Sequence, residues 1–171
     1  MLVVAATERE LAHVRRFETF VCGIGPVEAA AHTAARLADE APDAVLHVGI
    51  AGARTLEPLS VVLGSEAIYC DIRARISVVD RVEPDPALLA RVRAALPDAH
   101  LLPIGTSAAV GGGTASDVEA MEGFGVLRAC TVAGVPAVEL RVISNRYDET
   151  EWRFEEAFEL LGETLDRLDV V

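Results

Sequence analysis

The chain has 171 residues, 51% of them hydrophobic, and a formal net charge of −12. That length makes one ordinary domain able to bury a real core, and that apolar content excludes a disordered chain. The acidic field repels nucleic acid and anionic membrane surfaces, because the arginines are scattered among acids and form no basic patch.

Taken in order, Leu2 to Ala6 reads as a first strand, apolar on both faces as a central parallel strand should be. No basic region precedes it and Glu8 interrupts the apolar run, so it is not a signal peptide. Thr7 with Glu10 has capping-box spacing before a short helix, Glu8 to Val14. Capping alone is one reading of Glu10. Phe17 to Gly23 forms a second strand, and Gly23-Ile24-Gly25-Pro26 a tight turn into a helix from Val27 to Glu40. The turn is a poor dinucleotide fingerprint, since Glu28 stands at the third glycine position. Its helix N-terminus could still face an anion.

Ala44 to Val48 is a third strand. The loop expected after it, Gly49-Ile50-Ala51-Gly52-Ala53, has glycines that let backbone approach a ligand closely. Leu59 to Leu63 and Glu66 to Tyr69 read as further strands, while Asp71 to Val82 is ambiguous. Pro86 to Leu96 is an amphipathic helix, with Leu88, Leu89, Val92 and Leu96 on one face. Leu101 to Ile104 is a strand, and Gly105 to Thr114, with Gly111-Gly112-Gly113, a mobile loop.

An acidic segment, Asp117 to Glu122, leads into a helix carrying Val126, Leu127 and Cys130 at helical spacing. Gly134 stops that helix and Pro136 prevents its restart. Ala137 to Ile143 is a strand, apolar except for Glu139 and Arg141, and ends in Ser144-Asn145. Strand ends in an open α/β sheet are where ligands bind, so Glu122, Arg141 and Asn145 are expected to converge on one pocket. Glu122 could otherwise only flank its helix. Glu151 to Leu168 closes the chain as a helix whose Trp152, Phe154 and Phe158 read as core or subunit contact. Strands alternate with helices throughout, so a three-layer α/β/α sandwich around a mostly parallel mixed sheet is expected, as one domain over residues 1–171.

Several chemistries drop out. There is no Gly-x-Ser-x-Gly elbow and no Gly-Lys-Ser/Thr phosphate loop. His13, His32, His47 and His100 lack metal-ligand spacing, and Cys22, Cys70 and Cys130 form neither a zinc site nor a disulfide framework. A reducing cytoplasm fits that cysteine usage. Carboxylates, one arginine and one asparagine near strand ends remain, groups suited to proton transfer and to stabilising a cation.

The ordered motifs resemble the nucleoside phosphorylase/nucleosidase superfamily. They are Ala5-Ala6-Thr7-Glu8-Arg9-Glu10, Gly23-Ile24-Gly25, Val48-Gly49-Ile50-Ala51-Gly52-Ala53, Val118-Glu119-Ala120-Met121-Glu122-Gly123, Val135-Pro136 and Arg141-Val142-Ile143-Ser144-Asn145. Within it the methylthioadenosine/S-adenosylhomocysteine nucleosidases are similar, and futalosine hydrolases more so. The resemblance implies a cytoplasmic N-glycosyl hydrolase with no metal or cofactor, a small-molecule purine nucleoside as its partner, and a homo-oligomer, a dimer or larger. It places the enzyme in menaquinone biosynthesis, releasing hypoxanthine from futalosine.

The resemblance also implies roles. Glu122 would accept bonds from the ribose hydroxyls, with Met121 beside the sugar and Gly52 and Ala51 lining the substrate. Glu10 would position or deprotonate the attacking water, with Arg141 near it. Asn145, next to Ser144, would contact purine N7, where adenine-releasing members carry Asp. Asn can donate a hydrogen bond there but no proton. A carboxylate near the ribose suits the oxocarbenium character of glycoside cleavage, and a second activates water. Two departures stand out: the segment between about 70 and 116 is short and holds no aromatic between Tyr69 and Phe124 to stack on the base, and Ile50 replaces a small hydroxyl residue. A phosphorylase remains an alternative, as does a shortened homologue that only binds nucleosides or other subunits.

Overall fold

The computed structural model describes residues 1–111, 114–147 and 151–168. The two glycines at 112–113, part of the expected loop, lie outside them. The chain opens with β1 (Leu2–Ala5), α1 (Glu8–Leu11), β2 (Glu18–Val21) and α2 (Pro26–Asp39). Then come β3 (Val45–Ala53), β4 (Val61–Tyr69), β5 (Arg81–Val82), α3 (Pro86–Ala95) and β6 (His100–Thr106). It ends with β7 (Val118–Ala120), α4 (Gly123–Ala133), β8 (Ala137–Arg146) and α5 (Phe154–Asp166).

The strands form one mixed eight-stranded sheet. β1 pairs in parallel with β2 and β3, and β3 runs parallel to β8. β8 then meets β4 antiparallel, β4 meets β6 in parallel, β6 meets β7 in parallel, and β7 returns antiparallel to β3. These five ladders close a ring, so the sheet is a sandwich at one end and a small barrel at the other. Register shifts at Ala51/Gly52 in β3 and Gly64/Glu66 in β4 bend the strands enough to close it. Ala51, Val62, Ile104, Val118 and Ile143 pack together as its apolar filling.

Strand alternation sorts the remaining core into two layers. Val3, Leu46 and Leu140 meet α3 and α5 on one face. Leu2, Val4 and Val45 meet α2 and α4 on the other. By the same alternation His47, Glu139 and Arg141 point toward the second face, and all three are fully buried. The expected loop after β3 is strand: Gly49 to Ala53 stay in register with β8 through Arg146. The ladder to β8 keeps those residues extended despite two glycines, and β7 pairs the last two, Gly52 and Ala53, on the other side. The two strands expected at Leu59–Leu63 and Glu66–Tyr69 are one strand interrupted by the register shift.

Gly134 ends α4 in the left-handed conformation, φ 71°, as its position after the apolar face implies. Thr106 on β6 fixes the other end, its hydroxyl accepting from the Phe124 N–H at 2.9 Å. Where α4 crosses α2, a Cβ on Gly125 would lie 2.5 Å from the Pro26 carbonyl oxygen. Gly125→Ala therefore forces the helices apart, and thermal unfolding should show a loss of about 1–3 kcal/mol, the range for overpacking. An unchanged Tm would contradict so tight a crossing.

Candidate active site

A cavity of about 470 Å³ opens at the carboxyl ends of β1, β3 and β8. Glu10, Ala51, Gly52 and Met121 line it, as do Glu122, Ser144 and Asn145. Residues 135 positions apart in the chain thus meet because β1 and β8 both pair with β3. Arg141 is brought to the site but not into it. It is wholly buried beneath the floor and touches no part of the cavity. It is expected near the attacking group, and its side chain lies beneath the floor beside Glu10, the carboxylate expected to hold the water, with Nη1 and Glu10 Oε1 flanking Gly49.

Glu10 is held at both oxygens. The Thr7 N–H and hydroxyl donate to Oε2 at 3.0 and 2.9 Å, and the Ile50 N–H donates to Oε1 at 3.2 Å. The capping box is complete, with the Glu10 N–H reaching Thr7 Oγ1. Capping and facing the cavity are therefore one conformation of Glu10, not alternatives. Glu122, 5% exposed, receives the Gly25 N–H on Oε1 at 3.1 Å. Gly25 has φ 94°, so the tight turn aims its donor where other residues would be strained. The anion faced by that turn is the protein's own carboxylate.

Arg141 lies between these acids. Its Nη2 is 3.7 Å from Glu122 Oε2, and its Nε donates to Glu139 Oε1 at 2.8 Å. Nη2 also contacts His47 Nε2, while His47 Nδ1 lies 3.0 Å from the Val4 carbonyl. That carbonyl only accepts, so Nδ1 carries the proton and Nε2 accepts from Arg141. Burial, then the guanidinium, hold the His47 pKa well below its usual value, so the ring is neutral. Burial raises the Glu122 carboxyl, and Arg141 and the Gly25 bond pull it partly back. Gly49 makes room for the arrangement, since a Cβ there would overlap both Arg141 Nη1 and Glu10 Oε1.

Asn145 has one amide orientation. Ser144 Oγ donates to its Oδ1 at 2.9 Å, and its Nδ2 donates to the Arg146 carbonyl at 3.2 Å. The amide therefore lies with its N–H₂ edge free to donate once more. Sequence reasoning missed the walls. Tyr147, Trp152, Phe154 and Phe158 all line the cavity, so the closing aromatic stripe is not only core. Tyr147 packs over Gly52, where a Cβ would come within 2.9 Å of its ring. Trp152 meets Phe154 edge-on, with centroids 5.2 Å apart. The signal was the aromatic spacing after Asn145; the aromatic lining comes from there, not from the short segment before α4. Glu119 is a third lining carboxylate, held by the Thr114 N–H at 2.9 Å.

The Phosphorylase superfamily model matches residues 13–170. The futalosine hydrolase of Streptomyces coelicolor is 32% identical over 183 aligned positions, covering 89% of this chain and 78% of that protein. Among solved structures, the native futalosine hydrolase of Helicobacter pylori superposes with a TM-score of 0.85 at 16% identity, over 98% of this chain and 95% of that one. The 5′-methylthioadenosine/S-adenosylhomocysteine nucleosidase of Streptococcus pneumoniae, with a transition-state inhibitor, gives 0.84 at 19% identity, over 98% and 96%. The chain belongs to the phosphorylase superfamily and has its fold. Within that superfamily it is a nucleosidase, an N-glycosyl hydrolase. No helix among the described residues is long and apolar enough to cross a membrane.

Two outcomes check this geometry. Thr7→Val removes both hydroxyl contacts to Glu10 and should lower stability by about 1 kcal/mol, as for a lost cap; Thr7→Ser should restore it. Equal Tm for all three proteins would mean the hydroxyl holds nothing. Trp152 is the chain's one tryptophan, 44% exposed at the cavity wall. Hypoxanthine titrated into the protein should change its emission with a saturable isotherm. Calorimetric binding without any emission change would place the ligand elsewhere.

Proposed function

We propose that this enzyme hydrolyses the N-glycosidic bond of a 6-oxopurine nucleoside, with futalosine as its substrate and hypoxanthine as the released base. The carrying observation is Asn145: Ser144 and the Arg146 carbonyl leave it an N–H donor at the strand end, and that position has no acid. A 6-oxopurine is a better leaving group than adenine and needs a hydrogen bond on N7 more than a proton. The name of the Streptomyces relative supports the same substrate.

In this reading the ribose lies over Met121, with its 2′- and 3′-hydroxyls donating to Glu122. As the C–N bond lengthens the sugar becomes cationic, and Glu122, buried where charges are weakly screened, lowers that energy. Glu10 takes a proton from a water whose oxygen bonds to the anomeric carbon. The bonding pair leaves on the base, which Asn145 holds until solvent protonates it. The aromatic walls offer faces for the purine.

Water is favoured over phosphate by charge. Among the described residues, Glu10, Glu119 and Glu122 line the cavity against Arg9 as the one cationic side chain, and Arg9 pairs with Glu155 at the surface. Arg141 is sequestered by Glu139. An incoming phosphate would meet three carboxylates with no unpaired cation among the described lining residues to offset them. Ile24, Val27 and Val110 also leave exposed apolar surface, Ile24 and Val110 at the cavity wall. A cytoplasmic homo-oligomer covering it belongs to the same reading, as does a place in menaquinone biosynthesis.

The test follows base release from futalosine, inosine and methylthioadenosine, each with and without phosphate. Release from the first two without phosphate is expected; adenine release from methylthioadenosine alone would overturn the substrate assignment. Glu10→Gln should keep nucleoside affinity and lose about 10²–10⁴-fold in kcat, the range for a general base. Glu122→Gln should lose about 10²-fold or more in kcat and also bind nucleoside more weakly. Wild-type turnover by Glu10→Gln would reduce Glu10 to a helix cap.

A further inference from the structure

Behind the cavity floor lies a polar layer that is not part of the cavity lining. It comprises Glu139 and Arg141 on β8 and His47 on β3, each 0% exposed. Three polar groups in the middle of a hydrophobic sheet cost stability unless each is matched. They match one another edge by edge. Glu139 takes Nε of the guanidinium at 2.8 Å, and neutral His47 takes Nη2. Nη1 has no hydrogen-bond partner among the described residues, and neither does Glu139 Oε2. Yet Nη1 and Glu10 Oε1 flank one point, the place a Cβ of Gly49 would occupy. Two edges of the guanidinium are thus fastened from below, and the third is left facing the carboxylate proposed to activate water.

The layer is built for close packing. Gly123 opens α4 directly above Glu139, and a Cβ there would overlap both carboxylate oxygens. The first turn of that eleven-residue helix therefore sits on an anion, as its dipole favours. The groups facing Arg141 from all sides are Glu10 from α1, His47 from β3, Cys22 after β2, Glu122 before α4, and Glu139 beside it on β8. Burial pushes the Cys22 thiol up to about 12, so it stays neutral. Around the one guanidinium stand three carboxylates, Glu139 in the layer and Glu10 and Glu122 in the floor, with His47 neutral.

We propose that Glu139 and His47 are positioning residues: they hold Arg141 at a fixed point between Glu10 and Glu122, and Glu139 offsets enough of its charge that the guanidinium does not cancel the field of those two carboxylates at the sugar. Without Glu139, one guanidinium would serve only the two floor carboxylates and partly neutralise both. This rests on the nucleosidase reading of the cavity for its kinetic consequence, but not for its electrostatic one.

The sign follows from the neighbours. Glu139 raises the Glu122 pKa and Arg141 lowers it. Glu139→Gln keeps an acceptor for Nε and removes the charge, so both changes lower the Glu122 pKa. The test titrates glutamate labelled with ¹³C at the side-chain carboxyl, by NMR, with Glu122→Gln to assign its resonance. Glu122 should titrate at lower pH in Glu139→Gln than in wild type. Base release should in parallel show its acid limb moved to lower pH, while plateau kcat falls about 10- to 100-fold, as for a small misplacement of a catalytic group. Glu139→Asp keeps the charge but not the reach, so it should keep the wild-type acid limb and lose kcat. It also serves if the glutamine variant does not fold. A merely structural Glu139 would lower Tm and leave titration and acid limb where they are, and that result overturns the proposal. If Glu122 shifts as expected but wild type cleaves no nucleoside, the functional reading fails and the charge arrangement stands.

Discussion

A single buried guanidinium organises this molecule. Arg141 is fully enclosed within the sheet, which is tolerable only with its charge balanced and most of its donors engaged. Glu139 and His47 supply that from the same layer, and Glu122 and Glu10 from above it. Much of the surrounding sequence follows. Position 49 is glycine because its Cβ would overlap two of these side chains, and position 123 is glycine because its Cβ would overlap Glu139. His47 is neutral because burial and the neighbouring cation both oppose its protonation.

The sheet turns that constraint into a site. β3 pairs with β1, β7 and β8, so it carries one edge of every functional segment. The register shift at Ala51/Gly52 marks where sandwich becomes barrel, and the cavity opens there. Glu10 arrives from the helix after β1, Glu122 from the end of β7, and Asn145 from the end of β8. A cavity walled by aromatic rings and floored by buried carboxylates screens charge poorly, so a cation developing there would be strongly stabilised.

How much of this the sequence disclosed depended on the range of the interaction. Thr7 and Glu10 are three residues apart, so their capping box was legible, and Gly134 and Pro136 marked the end of α4 by local backbone rules. The convergence of Glu10, Glu122 and Asn145 was legible only through their order along the chain and their places at strand ends. Glu139 and Arg141 stood out as charges in an apolar strand, but nothing local said that both point under α4 and that His47 meets them there. That depends on strand register, which the ladder between β3 and β8 sets. The aromatic wall was hidden for a similar reason: helical spacing groups Phe154 and Phe158 on one face without saying that the face borders a cavity. The long ladder to β8 also overrode the glycines of Gly49 to Gly52, which locally read as a loop.

The central claim is that this cavity delivers water, not phosphate, to the anomeric carbon of a purine nucleoside. Turnover of futalosine in ¹⁸O-labelled water with phosphate present, read by mass spectrometry of the sugar product, tests it most directly. The account predicts one ¹⁸O at the anomeric position and no sugar phosphate. An unlabelled sugar 1-phosphate would contradict it.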